Sequence, residues 1–301
     1  MNQKKSEKHQ ERPGRTNKFI QLVNAYHEMH SADCRFIEGY LLIRAMDITL
    51  TRHRGLTDKI VHYMNADSLD QQKYYARKIL RKDPYNLAAQ FVLETEKTLR
   101  AEDALKIVLD REESRLQKME YPAGKYSQYD DTRAFLYGLY VQMVFLCNRK
   151  NCYEKAAAIG EKILYYDETD EVVFARIILT HLYAVLDDRK KLDGLNQKYW
   201  RAKMFSCVSF MPYAFIAFRH DNLEEAEHYL QKIFETNKDA KRYLRAMKNG
   251  REKQIEVEAA DPVTCYPWTE LQIMFAKNKF LYENNPDFMK WIYDQVSLKR
   301  K

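Results

Sequence analysis

The sequence has 301 residues, 46% of them hydrophobic, and its 50 Lys and Arg residues outweigh 43 Asp and Glu residues to give a formal charge of +7. Only eight Gly and seven Pro residues occur. A sheet or barrel has a turn about every 8–12 residues and would need more glycine and proline for those turns. The composition therefore favours long helices with short connections. The five cysteines are odd in number and form no Cys-x-x-Cys pair, which argues against a disulfide framework and a zinc ribbon.

Residues 1–18 are basic and contain no large apolar residue after Met1, so we expect a disordered tail. Such a tail can bind nucleic acid or acidic lipid. No basic face interleaved with aromatic residues follows it, however, which argues against nucleic acid as a partner and for a solubilising end. The tail also lacks the apolar core of a signal peptide, so we expect a cytoplasmic protein.

Residues 19–66 are predicted to form N-terminal helices, because apolar residues recur there with a helical period. The first such face consists of Phe19, Leu22, Val23 and Tyr26. His27 and His30 follow it, but they are three residues apart instead of the four of a zinc-protease helix, and no third ligand is identified. We therefore expect no metal ion at these histidines.

Residues 67–250 contain an internal repeat. Residues 151–167 align without gaps with residues 221–237 at an offset of 70, which is two periods of 35. A third copy, residues 69–83, matches the first of these segments at an offset of 84, which is not a whole number of periods. An insertion is therefore predicted near residues 118–132. Self-similarity at this period is typical of stacked helix pairs, each of which buries its apolar face against its neighbours.

In the second helix of a copy, a small residue is followed by apolar residues four and seven positions later, although the third copy has the polar Gln72 at the small position. The matching sets are Ala226, Leu230 and Ile233; Ala156, Gly160 and Ile163; and Gln72, Ala76 and Ile79, with Pro84 closing that copy. In this pattern the chain resembles tetratricopeptide-repeat proteins. Helical periodicity along the chain predicts an all-α fold, and the resemblance implies an α-solenoid of antiparallel helix pairs that winds into a superhelix. The first helices match less closely, and Pro212 is expected to bend or delay the start of one of them.

A second, looser resemblance covers residues 133–291. Their succession of helices is similar to the divergent repeat domain of the suppression-of-tumorigenicity family and its bacterial relatives. The resemblance depends on the segment Lys241–Leu244 after a repeat and on the acidic-to-aromatic helix at the end of the chain. It implies a divergent form of the same repeat fold.

Individual helix boundaries can also be predicted. Residues 169–171, Thr-Asp-Glu, precede an apolar run and offer an N-cap, and Pro286 suits the first position of a helix after Asn285. The longest apolar stretch, residues 134–147, is 14 residues long and includes Gln142. A membrane-spanning helix needs about 20 apolar residues, so this stretch is predicted to be a buried helix and no membrane span is expected.

Residues 251–301 are predicted to be a linker and C-terminal capping helices. Residues 261–270 break the helical pattern with two prolines and carry Tyr266 and Trp268. We interpret them as a linker that lays a final helix pair, about residues 270–297, across the end of the stack, because terminal repeats need a modified outer face. The alternative interpretation is an aromatic loop that contacts a ligand.

The sequence contains no motif typical of an enzyme. It has neither a Gly-rich phosphate loop nor a Gly-x-Ser-x-Gly elbow. Cys147 and Cys152 flank a predicted helix–helix turn, where the sequence specifies no base or helix N-terminus to activate a thiol. We therefore expect a non-catalytic protein with no cofactor and no metal ion.

The function predicted from the repeat is the binding of another protein or a peptide. Stacked helix pairs form a curved surface whose concave side presents the first helices, although a fold alone does not identify a ligand. The candidate contacts are polar or aromatic residues of first helices that the periodicity leaves off the core. They are Tyr137, Gln142, Arg176 and His181.

An alternative function is a repeat-containing regulator that contacts nucleic acid through residues 1–66. Its candidate phosphate contacts are Arg35, Arg44, Arg52, Arg54 and Lys59. Against it, residues 36–50 are mainly apolar, and no glycine turn separates two short helices as in a helix-turn-helix.

Overall fold

The computed structural model describes residues 54–98, 100–199, 206–251 and 267–297. Helices account for 77% of these residues, and no strand occurs in these ranges; one isolated antiparallel bridge joins Lys125 to Asp167. The all-α prediction is confirmed. The basic tail, the first predicted helix, the histidine pair at His27 and His30, and Tyr266 lie outside the described residues.

The chain divides into two compact units, residues 1–118 and 119–301. The described part of the first unit contains four α-helices, each packed against the next. They are α1 Thr57–Met64, α2 Leu69–Leu80, α3 Leu87–Glu94 and α4 Ala101–Lys118. Helices α2 and α3 are capped at their N-termini by the side chains of Ser68 and Asn86. These side chains accept hydrogen bonds from the amides of Gln71 (3.3 Å) and Ala89 (2.9 Å), respectively. Such N-caps satisfy amides that a helix leaves unpaired.

The second unit contains ten α-helices within its described residues. They are α5 Asp130–Cys147, α6 Tyr153–Tyr166, α7 Arg176–Val185, α8 Arg189–Tyr199, α9 Ser206–Arg219, α10 Leu223–Thr236, α11 Ala240–Lys248, α12 Pro267–Lys277, α13 Lys279–Tyr282 and α14 Pro286–Ser297. Consecutive helices pack as the pairs α5 with α6, α7 with α8, and α9 with α10. Helix α7 also packs against α6 and α9, so the pairs share a core.

The helical register predicted from the repeat agrees with the burial. Ala226, Leu230 and Ile233 are buried in α10, and Ala156 and Ile163 are buried at the matching positions of α6. Gly160 occupies the middle position of the pattern in α6, which matches Leu230 of α10. A Cβ atom there would lie 3.0 Å from Leu179 Cδ1 and 3.1 Å from Met143 Sδ, so α6 approaches both α5 and α7 closely at this glycine.

The predicted start of α14 at Pro286 is found, where the missing amide hydrogen costs nothing. The N-cap predicted at residues 169–171 is not found at that position, because α7 begins at Arg176 with Ala175 as its N-cap residue. The Asp170 carboxylate nevertheless accepts hydrogen bonds from the amides of Ala175 (2.6 Å) and Arg176 (3.0 Å). Pro212, by contrast, lies inside α9 and does not mark its start.

The segment between α4 and α5, where an insertion is predicted, contains a short 3₁₀ turn at Tyr126–Gln128. Tyr126 is buried, and its ring stacks on Tyr166 of α6 with centroids 4.6 Å apart. This contact anchors the segment to the second unit.

The last three helices pack against α7, α9 and α11. Lys277 of α12 donates a hydrogen bond to the Tyr140 hydroxyl of α5 (2.6 Å). The ring of Phe288 in α14 packs edge-on against Phe215 in α9, with centroids 5.1 Å apart. The final helices therefore contact the first helix of each of three successive pairs. None of the described helices is long and apolar enough to cross a membrane.

Candidate functional site

His181, one of the four predicted ligand contacts, lies in the core of the second unit. It is 0% exposed, and its Nε2 atom is 2.8 Å from the Tyr282 hydroxyl of α13. Its Nδ1 atom is 3.0 Å from the Ile177 carbonyl oxygen. Burial lowers the pKa of His181 to about 3. The prediction that the periodicity leaves this residue off the core is wrong, because α13 covers the face of α7 that carries it.

Two further predicted contacts lie on α5. Gln142 is only 9% exposed and belongs to the core, so the prediction that it lies off the core is also wrong. The helix is buried on most of its circumference, which hides a single polar side chain. Tyr137 is half-buried. Whether any of the four residues contacts a ligand remains a prediction.

Arg176, the fourth predicted contact, is only partly exposed. It is the first residue of α7, and its side chain is 12% exposed. Its guanidinium carbon lies 5.0 Å from the ring centroid of Tyr199 and 5.7 Å from that of Phe174. Cations over aromatic faces are attracted by the ring quadrupole, so the two rings hold the guanidinium in place.

A small cleft opens beside Arg176, between α7, α8 and α9. It has a volume of about 20 Å³, and its lining includes Arg176, Thr180, Asn196, Tyr199 and Ser209. We call it the α7–α9 cleft. The Tyr199 hydroxyl donates a hydrogen bond to the Glu168 carbonyl (2.8 Å), and Asn196 donates one to the Ser209 carbonyl (3.4 Å). The cleft is therefore polar and its walls are fixed by hydrogen bonds.

The loop before α7 supports this cleft. Asp170 is completely buried, and its carboxylate lies 4.0 Å from the Nε atom of Arg176. Burial raises the pKa of Asp170 to about 7, against the lowering effect of Arg176 and of the two amides that the carboxylate caps. Both Asp170 and Phe174 have φ values of +53°, an uncommon conformation for residues other than glycine. The hydrogen bonds of the Asp170 carboxylate and the backbone conformations of Asp170 and Phe174 together fix the direction of the chain at Arg176.

A second surface feature joins α8, α9 and α10. The rings of the half-buried Tyr213 and Tyr229 stack with centroids 5.0 Å apart and planes 19° apart. The buried ring of Phe210 continues the stack inwards, 6.5 Å from Tyr229. We call these three rings the aromatic ladder. Arg189 donates hydrogen bonds to Glu225 (2.8 Å) and to the Tyr229 hydroxyl (3.2 Å). The Tyr213 hydroxyl donates one to Asp193 (2.6 Å).

The aromatic ladder was not predicted from the sequence. Phe210 and Tyr213 can be recognised as helix-packing residues in the repeat, and the half-buried positions of Tyr213 and Tyr229 follow from the arrangement of three helices. No spacing in the sequence shows that Tyr213 and Tyr229 meet across two helices, so no sequence signal identifies the ladder.

Cys147 and Glu270, two groups with chemical reactivity, are buried. Burial raises the pKa of the Cys147 thiol, which disfavours the thiolate that would react. Glu270 accepts hydrogen bonds from the Cys207 amide (2.9 Å) and from the Asn237 side chain (2.8 Å), which ties α12 to the helices before it. The described residues contain no group of three or more His, Cys, Asp or Glu side chains suited to a metal ion.

Comparisons of the chain with family models, curated proteins and solved structures found no match.

Proposed function

We propose that this chain is a non-catalytic, cytoplasmic scaffold that binds another protein or a peptide through a tetratricopeptide-like α-solenoid of antiparallel helix pairs. The internal repeat, the all-helical fold and the packing of consecutive helices in the second unit support the proposal. A protein that only binds its partner needs side chains that are held in order at its surface, and it does not need a side chain that transfers protons. The second unit offers such ordered side chains.

The aromatic ladder is the observation that carries the proposal. Tyrosine and arginine are the residue types that contribute most to protein interfaces. Tyr213, Tyr229 and Arg189 are already held by stacking and by hydrogen bonds. These three side chains would therefore lose little conformational entropy when a partner binds, and pre-organised contacts of this kind favour affinity.

The position of the final helices favours the ladder over the first-helix face. Helices α12 and α13 cover α7 at His181, and Lys277 reaches α5 at Tyr140. A peptide on that face would have to displace buried side chains such as Phe280 and Leu281. The ladder and the α7–α9 cleft need no such displacement, so we place the partner there, with Arg176 and Tyr229 as contacts.

Affinity purification from the native host followed by mass spectrometry tests the proposal. We compare the wild type with Tyr229→Ala, which interrupts the ladder, and with Tyr165→Ala, which removes a 64% exposed tyrosine of α6 outside it. A protein recovered reproducibly with the wild type and with Tyr165→Ala, but not with Tyr229→Ala, is the expected result. Equal recovery of that protein by the wild type and both variants would contradict the proposal, as would the failure to recover any protein reproducibly with the wild type. Matching circular dichroism spectra establish that the variants are folded.

A further inference from the structure

Helix α11 presents an unusually basic surface. Residues 238–251 contain six Lys and Arg residues and a single acidic residue, Asp239. Ala240, Tyr243 and Leu244 face the core. Lys241, Arg245 and Lys248 are exposed, and their spacing of four and three residues places them on one side of the helix. We call these three residues the basic stripe.

The charge of the basic stripe is not neutralised within the described part of the chain. Arg245 donates a hydrogen bond to the Val296 carbonyl (3.2 Å) and Lys248 donates one to the Ser297 hydroxyl (3.2 Å), both at the end of α14. These acceptors are uncharged. Arg242, next to the stripe, is different because its guanidinium pairs with Asp239 at 3.3 Å. The stripe therefore retains positive charge for an outside partner.

A cleft of about 90 Å³ runs beside the basic stripe, between α10, α11 and α14. Leu230, Phe234 and Val296 provide apolar lining, and Lys241 and Arg245 line it on the α11 side. We call it the α10–α14 cleft. The Lys241 amine lies 4.8 Å from the ring centroid of Phe234, so the stripe and the apolar lining adjoin directly.

We propose that the basic stripe and the α10–α14 cleft together bind an acidic peptide segment that carries one bulky apolar side chain. Carboxylates of the segment pair with the stripe, and the apolar side chain enters the cleft over Phe234. The inference rests on the proposed function, because it names the chemistry of a partner for a second surface of the same scaffold.

The apolar lining of the α10–α14 cleft favours a peptide over nucleic acid. It suits an aliphatic side chain, whereas a sugar-phosphate chain would gain nothing from it. Non-specific nucleic-acid binding depends mainly on phosphate neutralisation, so it would use the stripe without the cleft.

Fluorescence anisotropy with the full-length chain provides the test. The probe is a fluorescein-labelled peptide of alternating glutamate and aspartate with one central leucine. A second peptide has serine in place of that leucine, and a labelled oligodeoxythymidylate of matched charge represents nucleic acid. Lys241→Glu/Lys248→Glu reverses two charges of the stripe. Lys155→Glu/Lys190→Glu makes the same change in net charge at exposed lysines of α6 and α8. Gln295→Trp narrows the cleft without altering charge.

At low ionic strength we expect the leucine peptide to bind more tightly than the serine peptide and the oligonucleotide. The stripe variant should weaken binding about tenfold or more, because it turns attraction into repulsion, and the control should have little effect. Gln295→Trp should remove the advantage of leucine over serine.

Equal losses in the stripe variant and its control would overturn the inference, as would tighter binding of the oligonucleotide or no measurable binding of the leucine peptide. These failures leave the proposed function standing if affinity purification still recovers a partner that depends on Tyr229. Loss of that partner with an intact peptide signal would instead overturn the proposed function alone.

Discussion

The Nε2 atom of His181 lies 2.8 Å from the hydroxyl oxygen of Tyr282, 101 residues further along the chain. The Ile177 carbonyl near Nδ1 can only accept a hydrogen bond, so Nδ1 carries the proton and Nε2 accepts one from the tyrosine. This buried hydrogen bond joins α7 to α13. It makes the C-terminal helices part of the same core as the repeat.

The neutral state of His181 has a measurable consequence. Its pKa falls from 6.5 to about 3 on folding, so the unfolded chain binds the proton more readily, and stability is present above the unfolded pKa and lost as the pH falls. Relative to His181→Gln, the wild type should lose about 1 kcal/mol of unfolding free energy between about pH 7 and pH 5.5. Urea melts followed by tryptophan fluorescence measure this in the second unit, which contains all three tryptophans. A difference that does not change with pH would contradict the buried hydrogen bond.

Asp170 should produce the opposite trend. Its pKa rises from 3.8 to about 7 on folding, so its contribution to stability is greatest below the unfolded pKa and is lost as the pH rises through the folded one. Compared with Asp170→Asn, the wild type should lose about 1 kcal/mol between about pH 5 and pH 6. The same fluorescence melts apply. A gain over that interval would mean that Arg176 and the two capped amides outweigh burial.

Two glycines in helices should respond oppositely to alanine. Gly194 of α8 has nothing within 4 Å of an added Cβ atom, so Gly194→Ala should raise the unfolding free energy by about 0.5–1 kcal/mol through helix propensity. At Gly160 the added atom would lie 3.0 Å from Leu179 and 3.1 Å from Met143, and overpacking costs about 1–3 kcal/mol. Gly160→Ala should therefore destabilise the second unit. Equal gains at both positions in urea melts would rule out the close approach of α5, α6 and α7.

The register of α10 can be tested at two adjacent residues. Ala226 is 0% exposed and Glu227 is exposed. Ala226→Leu should lower the unfolding free energy by about 1–3 kcal/mol, because extra methylene groups cannot fit into a packed site. Glu227→Leu should change it by no more than about 0.5 kcal/mol. Similar effects in denaturant melts of the two variants would show that the repeat alignment is out of register.

Local features of this fold were predictable from the sequence. Helical periodicity identified the buried face of α10, and the start of α14 at Pro286 depends on a few neighbouring residues. The burial of His181 was not predictable, because it depends on a contact with Tyr282 that periodicity does not encode. Sequence spacing alone therefore identified a first-helix face without indicating what covers it.

The candidate surfaces also include some features that could be predicted from the sequence and others that could not. Arg176 was predicted from its helix position, and the cleft beside it depends on the conformation of the loop after Asp167. The aromatic ladder needs Tyr213 and Tyr229 to meet from separate helices, which the sequence could not specify. The basic stripe, in contrast, is visible in residues 238–251 as six cations in a short amphipathic segment. It could have been predicted.

The location of the partner is the most direct test of the proposed function. Hydroxyl-radical footprinting of the chain, with and without the partner recovered by affinity purification, reports the solvent exposure of individual tyrosines. We predict that Tyr213 and Tyr229 lose reactivity in the complex while Tyr282 remains protected against His181. Unchanged reactivity of Tyr213 and Tyr229, together with newly reactive Tyr282, would mean that the partner displaces the C-terminal helices and binds the first-helix face, and would contradict a scaffold that binds through the aromatic ladder.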